Sequence, residues 1–173
     1  QSPLPASNKT RVAKLEFDLL GRLSKETREP LPASPSQAQI DLNLVTDYTY
    51  DSYGHVASIT VSGPGLTANR VTTFEYSTNF GGRFLTKKTN AEDHYETFED
   101  FDLALGVAKT HTDINRLETT FIYDGLGRVL TQISPGNLVT TINRRWAAAG
   151  QGPAMAAYHI ETLPAGAPPN LVF

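Results

Sequence analysis

FIYDGLGRVLTQI, at residues 121–133, contains a phrase that occurs several times in this sequence. The phrase consists of an aromatic residue, aspartate, two variable residues, glycine, a basic residue and an apolar residue. Similar versions are FDLLGRL (17–23) and YDSYGHV (50–56), and more distant ones are YSTNFGGRF (76–84) and FDLALGVA (101–108). Successive copies begin 22 to 33 residues apart. A spacing of this size is typical of repeat proteins built from small supersecondary units.

The residue types in the phrase are those of a tight turn. Aspartate at the first position of Asp-x-x-Gly hydrogen-bonds the backbone ahead of it, and glycine at the fourth position can adopt the left-handed conformation. We therefore interpret each copy as the tip of a β-hairpin, in which the aromatic residue ends the incoming strand. The residues assigned to this structural motif are Phe17, Asp18, Gly21, Arg22, Tyr50, Asp51, Gly54, Tyr76, Gly82, Arg83, Phe101, Asp102, Gly106, Tyr123, Asp124, Gly127 and Arg128.

Alternating residues on both sides of these turns indicate β-strands. In residues 117–123 and 95–101, aromatic residues, threonine and other β-formers recur at every second position. A second set of turn signals lies between the motif copies, at GPG (63–65), NAED (90–93), DIN (113–115) and SPGN (134–137). The sequence therefore predicts an all-β protein, an antiparallel meander of β-hairpins.

We expect residues 1–173 to form one repeat segment that is a slice of a longer chain. Its repeat turns are predicted near 17–23, 50–56, 76–84, 101–108 and 123–129. Loop insertions are predicted near 30–38, where prolines cluster, and near 144–157, which is rich in alanine and glycine. Within the second insertion, Trp146 to Ala149 are the best helical candidate, and Gly150 follows them at once.

Composition excludes several classes of function. The chain has 173 residues with a formal net charge of -3, so it has no electrostatic footprint for nucleic acid. Cysteine is absent, which excludes disulfides and thiolate metal sites. No apolar run approaches the roughly 18 residues of a membrane span, and residues 1–20 lack the order of a signal peptide. We predict no cofactor, no nucleic-acid partner and no membrane span in this segment.

A catalytic role for the motif aspartates is the first alternative. Two carboxylates at a defined separation would suit glycoside hydrolysis. The aspartates recur with the turn, however, and one copy of the motif lacks the aspartate. We therefore predict no catalytic residues and no enzymatic activity.

Metal binding and sugar binding are further alternatives. His94, which follows Asp93, and His111, which shares a strand face with Asp113, could supply metal ligands. No third or fourth ligand accompanies either pair in the pattern, and we predict no metal site. The motif arginines are expected to cover neighbouring aromatic rings rather than to bind an anionic ligand. The aromatic residues that could form a sugar-stacking platform are Tyr48, Tyr53, Tyr95 and Trp146. Binding residues, as distinct from structural ones, are not identified by the sequence.

TTFIYDGLGRVL (119–130), FDLLGRL and YDSYGHV together resemble the YD-repeat, or Rhs-repeat, family. The consensus of that family is Tyr-Asp-x-x-Gly-Arg-Leu after a threonine-rich strand. The order of units over residues 81–130 is similar to that in large bacterial Rhs proteins and in the B component of Tc insecticidal toxin complexes. The resemblance covers residues 11–143 and, more weakly, 158–173.

The resemblance implies a fold and a role. Repeats of the family wind into a spiralling β-sheet that forms a hollow shell around a toxin or effector polypeptide. It implies a secreted or cell-surface protein in which this segment contributes strands to the shell. Its partners would be the remainder of the repeat shell and the enclosed polypeptide, and its open sheet edges would favour self-association. The alternative is a carbohydrate-binding or cell-surface adhesion module that recognises surface glycans.

Overall fold

A computed structural model of the protein describes residues 11–32, 34–36, 38, 43–146, 158–165 and 170–172. These residues form thirteen β-strands and no extended helix. The strands are β1 (Ala13–Phe17), β2 (Leu23–Arg28), β3 (Leu44–Tyr50), β4 (Val56–Ser62), β5 (Arg70–Tyr76), β6 (Leu85–Thr89), β7 (Tyr95–Asp102), β8 (Val107–Thr112), β9 (Glu118–Tyr123), β10 (Val129–Ser134), β11 (Leu138–Trp146), β12 (Tyr158–Pro164) and β13 (Asn170–Val172).

The chain divides into two compact units. The first comprises residues 1–75 and 89–94, and the second comprises residues 76–88 and 95–173. In the first unit β1 to β5 lie side by side in chain order, each antiparallel to the next. In the second unit β6 to β13 follow the same rule. The predicted all-β antiparallel meander is confirmed.

Hairpins at the motif copies close in the same way in both units. Asp18 donates its backbone N–H to the Arg22 carbonyl (2.8 Å), and Gly21 donates to the Asp18 carbonyl (3.0 Å). The hairpin between β9 and β10 repeats these bonds with Asp124 and Gly127. A register shift follows each turn, so that the outgoing strand carries a β-bulge. Gly127 has a φ of +77°, which is the left-handed conformation that such a bulge requires.

Two turns of the second set, those at 90–93 and 113–116, place residues other than glycine in the left-handed region. Asn90 donates its N–H to the carbonyl of His94 (2.9 Å), and Asp113 donates to that of Leu117 (3.1 Å). The left-handed residues in these turns are Asp93 (φ +60°) and Arg116 (φ +65°). Aspartate tolerates this region, whereas a positive φ is uncommon for arginine.

The described residues of neither unit form a thick apolar core. Phe84, 5% exposed, is the buried apolar side chain of the described residues. Its ring stacks on Phe101, with the centroids 4.6 Å apart, and Phe80 meets it edge to face at 5.7 Å. Most other side chains on the strands are half-buried or exposed. Each unit is therefore stabilised chiefly by its strand ladders, its turns and contacts between neighbouring strands.

The two faces of the first unit's sheet carry different sets of side chains. Lys25 pairs with Asp47 across β2 and β3, and their side chains form an ion pair of 3.2 Å on one face. Tyr48 lies on the opposite face, where it pairs with Ile59 of β4. Glu26 and Arg28 of β2 share the face of Tyr48 and form an ion pair of 2.8 Å, so charged groups lie on both faces of this sheet.

The predicted loop insertions differ in outcome. The described residues within 30–38 contribute no strand, in line with the proline-rich sequence. β11 continues through Trp146, so residues 144–146 are not part of a loop as predicted. Strand pairing with β12 from Thr140 to Trp146 explains the extension. The rest of the predicted helical candidate, residues 147–149, lies outside the described residues. Among the described residues, there is no helix that is long and apolar enough to cross a membrane.

Gly127→Val is expected to destabilise the protein by about 2 kcal/mol, because a β-branched residue at positive φ is strained. The space around Gly127 is open enough that crowding adds little: an added Cβ would lie 3.9 Å from Val107 Cγ1. Gly125→Ala in the same turn is the matched control, since its φ is not in the left-handed region. Urea unfolding measures both, and equal midpoints for the two variants would contradict the turn geometry.

Candidate functional site

Each motif aspartate holds its own turn closed. Asp124 Oδ1 accepts hydrogen bonds from the backbone N–H groups of Leu126 (2.9 Å) and Arg128 (3.0 Å), and Arg128 Nε donates to Oδ2 (2.6 Å). Asp18 does the same with Leu20 and Arg22, at 2.9, 2.9 and 2.7 Å. Hydrogen bonds from the backbone and then from the side chain of Arg128 lower the pKa of Asp124. We call this arrangement the turn clasp.

The other turns use the clasp in modified form. Asp51 accepts the backbone N–H of His55 (2.9 Å), whose ring lies 3.1 Å from the second carboxylate oxygen. Asp102 bonds the N–H groups of Ala104 and Leu105 in its longer turn. Asn90 and Asp113 make the same backbone bonds in the second set of turns. These side chains therefore close turns in motif copies and in the second set of turns alike.

Tyrosines of the motif connect one hairpin to the next. Tyr50 Oη donates to the carbonyl of Leu23 (2.7 Å), and Tyr123 Oη donates to that of Ala108 (2.7 Å). Leu23 and Ala108 both lie two residues after a motif glycine. The same backbone carbonyl is thus bound from the following hairpin in both units. We call this bond the hairpin lock.

The motif arginine adds a second contact to the lock. The guanidinium carbon of Arg22 lies 4.2 Å from the centroid of the Tyr50 ring, a cation–π arrangement. A Cβ placed on Gly54 would lie 3.7 Å from Arg22 Nη1, so the arginine also covers the next turn. Arg22 therefore contacts its own turn and the following hairpin.

In the two degenerate copies of the motif, the rings that contact the motif arginine and one another belong to phenylalanine residues. Arg83 lies 5.0 Å above the ring of Phe84, which in turn stacks on Phe101, the aromatic residue that opens the next copy. A Cβ on Gly106 would lie 3.6 Å from Arg83 Nη2. Tyr76 and Gly82 lie in the same stretch, Tyr76 at the end of β5 and Gly82 at φ +76° in the turn. Phe17, at the end of β1, is half-exposed and opens the first copy.

The β9–β10 hairpin has an exception to the lock. The carbonyl of Val129, two residues after Gly127, accepts a hydrogen bond of 2.5 Å from Nη1 of Arg144 on β11. An arginine here replaces the tyrosine of the other hairpins. Beside it lies a crevice of about 440 Å³, lined by Asp124, Arg128, Leu130, Ile142, Asn143 and Arg144. We call it the Arg128–Arg144 crevice. The sequence pattern does not reveal Arg144 as a functional residue, because residues 144–157 have the composition of a loop.

A cluster of three titratable side chains crosses β6, β7 and β8. Glu96 forms ion pairs with Lys88 Nζ (3.0 Å) and His111 Nε2 (2.9 Å), and Phe98 stacks on the His111 ring at 4.9 Å. Hydrogen bonding from Lys88, followed by that from His111, lowers the pKa of Glu96. Within the described residues no group of three or more potential metal ligands converges, so His94, His111 and Asp113 are not assembled into a metal site.

The candidate sugar-stacking residues occupy different environments. The Tyr95 ring is covered by Arg116, 3.5 Å from its centroid, and by Lys87 at 4.7 Å. Tyr53 is 62% exposed at the tip of its hairpin and meets only His55 among the described rings. Tyr48 is half-buried on β3, and the side chain of Trp146 is outside the described part of the structure.

Comparisons with known proteins give a fold likeness only. No protein-family model matches the sequence, and no curated protein matches it. Among solved structures, the crystal structure of TcdB2-TccC3 without its hypervariable C-terminal region is similar, with a TM-score of 0.53 and 12% sequence identity. The similarity covers 92% of this chain and 8% of that chain, so this chain spans a small part of the protein it matches. It supports the resemblance found in the sequence at the level of fold.

The turn clasps predict a loss of stability in acid. Hydrogen bonds from the backbone lower the pKa values of Asp18, Asp113 and Asp124. These groups bind protons less readily in the folded chain. Their contribution is therefore present above the ordinary carboxyl pKa of about 3.9 and is lost as pH falls through the lower folded values. We expect the melting temperature to fall between about pH 5 and pH 2.

The double variant Asp18→Asn/Asp124→Asn is expected to weaken that acid dependence while remaining folded, because asparagine keeps the oxygen that accepts two N–H groups, as Asn90 does. Glu118→Gln, which removes an exposed carboxylate on β9, is the control. Thermal unfolding across the pH range measures the effect. A double variant with the acid slope of the unmodified protein would rule out the clasps as its origin.

Removing one hairpin lock with Tyr123→Phe is expected to cost about 1 kcal/mol, since the carbonyl of Ala108 loses its partner. Tyr53→Phe is the matched control, because this tyrosine is exposed at a hairpin tip. Chemical denaturation distinguishes the two. If both substitutions left the free energy of unfolding unchanged, the lock would contribute nothing to stability.

Proposed function

We propose that this chain is a structural segment of a larger YD-repeat protein that is secreted or displayed on the cell surface. In this proposal its strands form part of the wall of a hollow shell, and the shell encloses a toxin or effector polypeptide. The segment itself carries out no catalytic step. Its partners are the rest of the wall and the enclosed polypeptide.

The observation that carries the proposal is the use made of the motif side chains. Asp18 and Arg22 bond each other, Arg22 covers the Tyr50 ring, and Tyr50 bonds the carbonyl of Leu23. The polar groups of this copy are thus engaged within and between hairpins. They are not gathered around a common cavity, as acid–base or nucleophilic catalysis would require.

Two likenesses support the larger assembly. The sequence resembles Rhs proteins and the B component of Tc toxin complexes over residues 11–143. The fold is similar to part of TcdB2-TccC3, a structure solved without its hypervariable C-terminal region. A chain that spans 8% of such a protein suits one stretch of a long wall.

The edges and faces of the first unit support the same assignment. β1 is hydrogen-bonded only to β2 among the described strands, so its outer edge is available for a further strand of the same wall. Tyr48 and Ile59 pair on one face of the same sheet and are only half-buried there, so further protein on that face would bury them more fully. Both features suit a segment that continues into more protein of the same kind.

Protease protection in the longer protein tests the enclosing role. We expect the polypeptide that follows the repeats to resist cleavage in the unmodified protein and in the Gly125→Ala variant. Gly127→Val should expose it, because the hairpin at the wall is strained. Equal cleavage of that polypeptide in all three proteins, at the rate of its isolated form, would contradict a shell that encloses it.

A glycan array tests the adhesion alternative with the same protein. Tyr53, exposed at its hairpin tip, is the described aromatic side chain best placed to stack on a sugar. Binding that is lost in Tyr53→Ala, and retained in Leu126→Ala at another exposed tip, would replace the wall proposal with a binding module. No glycan binding is the expected result.

A further inference from the structure

Strand register places Arg144 at the position of the locking tyrosines. The same register recurs in three pairs of neighbouring hairpins. In each, the residue four places after the motif glycine pairs with a residue of the next hairpin. That residue lies three places before the side chain that forms the lock. The pairs are Lys25 with Asp47, Thr110 with Thr120, and Thr131 with Thr141. The locking side chains that follow are Tyr50, Tyr123 and Arg144. Arg144 is therefore the substitute for a motif tyrosine.

The substitution changes what the preceding arginine meets. In the first unit Arg22 covers a tyrosine ring at 4.2 Å. Its counterpart Arg128 instead shares the walls of the Arg128–Arg144 crevice with a second guanidinium group. Two like charges in one crevice repel each other unless an anion lies between them.

Charge and hydrogen bonding in the crevice favour an added anion. Its walls carry two guanidinium groups and one carboxylate, that of Asp124. This carboxylate is already bonded by two backbone N–H groups and by Nε of Arg128. Arg144 uses Nη1 for the carbonyl of Val129. Among the described residues, the terminal nitrogens of Arg128 and Nη2 of Arg144 have no bonded partner.

Apolar residues form part of the remaining lining. Leu130 and Ile142 line the same crevice as the two arginines, together with the polar residue Asn143. Its volume of about 440 Å³ lies in the usual range of small-molecule sites. A ligand with a charged end and an apolar body would contact both kinds of wall.

We propose that the Arg128–Arg144 crevice binds a carboxylate attached to an apolar or aromatic body. A carboxylate is planar and accepts two parallel hydrogen bonds from a guanidinium group, which suits the free nitrogens of the two arginines. An aromatic body would occupy the place where other copies of the repeat hold a tyrosine ring, beneath the motif arginine. The carboxylate belongs either to a small free acid or to a segment of polypeptide.

The competing explanation is purely structural. Arg144 could simply replace the tyrosine hydroxyl as donor to the carbonyl of Val129, with no ligand. Substituting tyrosine separates the two explanations. Arg144→Tyr restores the donor and the ring, and so keeps the lock while filling the crevice and removing one of its positive charges.

Titration with phenylacetate tests the proposal, with phenylacetamide as the neutral probe of the same shape. Isothermal calorimetry or amide chemical shifts of β10 and β11 report binding. We expect saturable binding of phenylacetate that is about tenfold weaker for phenylacetamide and about tenfold weaker in Arg144→Gln, as the loss of a charged hydrogen bond requires. Arg70→Gln, which removes an exposed arginine of β5, should bind as the unmodified protein does.

Arg144→Tyr supplies the deciding result. We expect this variant to lose phenylacetate binding and to melt at a higher temperature than the unmodified protein, because a ring beneath Arg128 replaces a like charge. Absence of saturable binding to the unmodified protein, equal binding of the amide, or retained binding in Arg144→Tyr would each overturn the proposal.

A second pair of probes identifies the source of the carboxylate. A short peptide with an internal glutamate beside phenylalanine is compared with the same peptide carrying glutamine. Tighter binding of the glutamate peptide than of phenylacetate, again lost in Arg144→Tyr, assigns the crevice to a polypeptide partner. Tighter binding of phenylacetate assigns it to a small free acid.

Discussion

One carboxylate that holds both ends of its own turn is the interaction on which this fold depends. A hairpin without a packed layer beneath it is marginal in water, so the turn has to restrict the chain by itself. Asp124 does so by accepting two backbone N–H groups and one guanidinium N–H. An exposed ion pair contributes little energy alone. The main effect of the clasp is geometric, because it fixes where β9 ends and where β10 begins.

Fixed turns make the locks between hairpins possible. A tyrosine hydroxyl reaches the carbonyl two residues beyond the preceding glycine only if the neighbouring strands of the two hairpins are paired in the same register, as Lys25 with Asp47 and Thr110 with Thr120 are. Once that register holds, the preceding arginine lies over the tyrosine ring. The aromatic residue and the arginine of the motif therefore act on successive hairpins. This explains why a degenerate copy remains compatible with the fold: Val107 takes the arginine position and still lies 3.9 Å from a Cβ placed on Gly127.

Sequence patterns sufficed for the strands and turns, because these depend on local chemistry. Asp18-x-x-Gly21 predicts its turn from four residues, and alternation predicts the flanking strands. The locks could not be predicted, since they depend on the pairing of residues more than a dozen positions apart. The end of β11, from Arg144 onwards, could not be predicted for a related reason. The alanine and glycine residues that follow suggest a loop, whereas pairing with β12 extends the strand to Trp146. Counting the register from Thr131 and Thr141 recovers Arg144 as the missing tyrosine.

Few side chains are buried among the described residues, so the motif contributes to the fold through its turns and its contacts between hairpins. Phe84 is the buried apolar residue of the described chain, while Lys25 and Asp47 pair on one face of the first sheet and Tyr48 and Ile59 occupy the other. Hydrophobic burial usually supplies most of the stability of a domain. Among the described residues that contribution is small, so the turn clasps and the hairpin locks have to fix the positions of the strands.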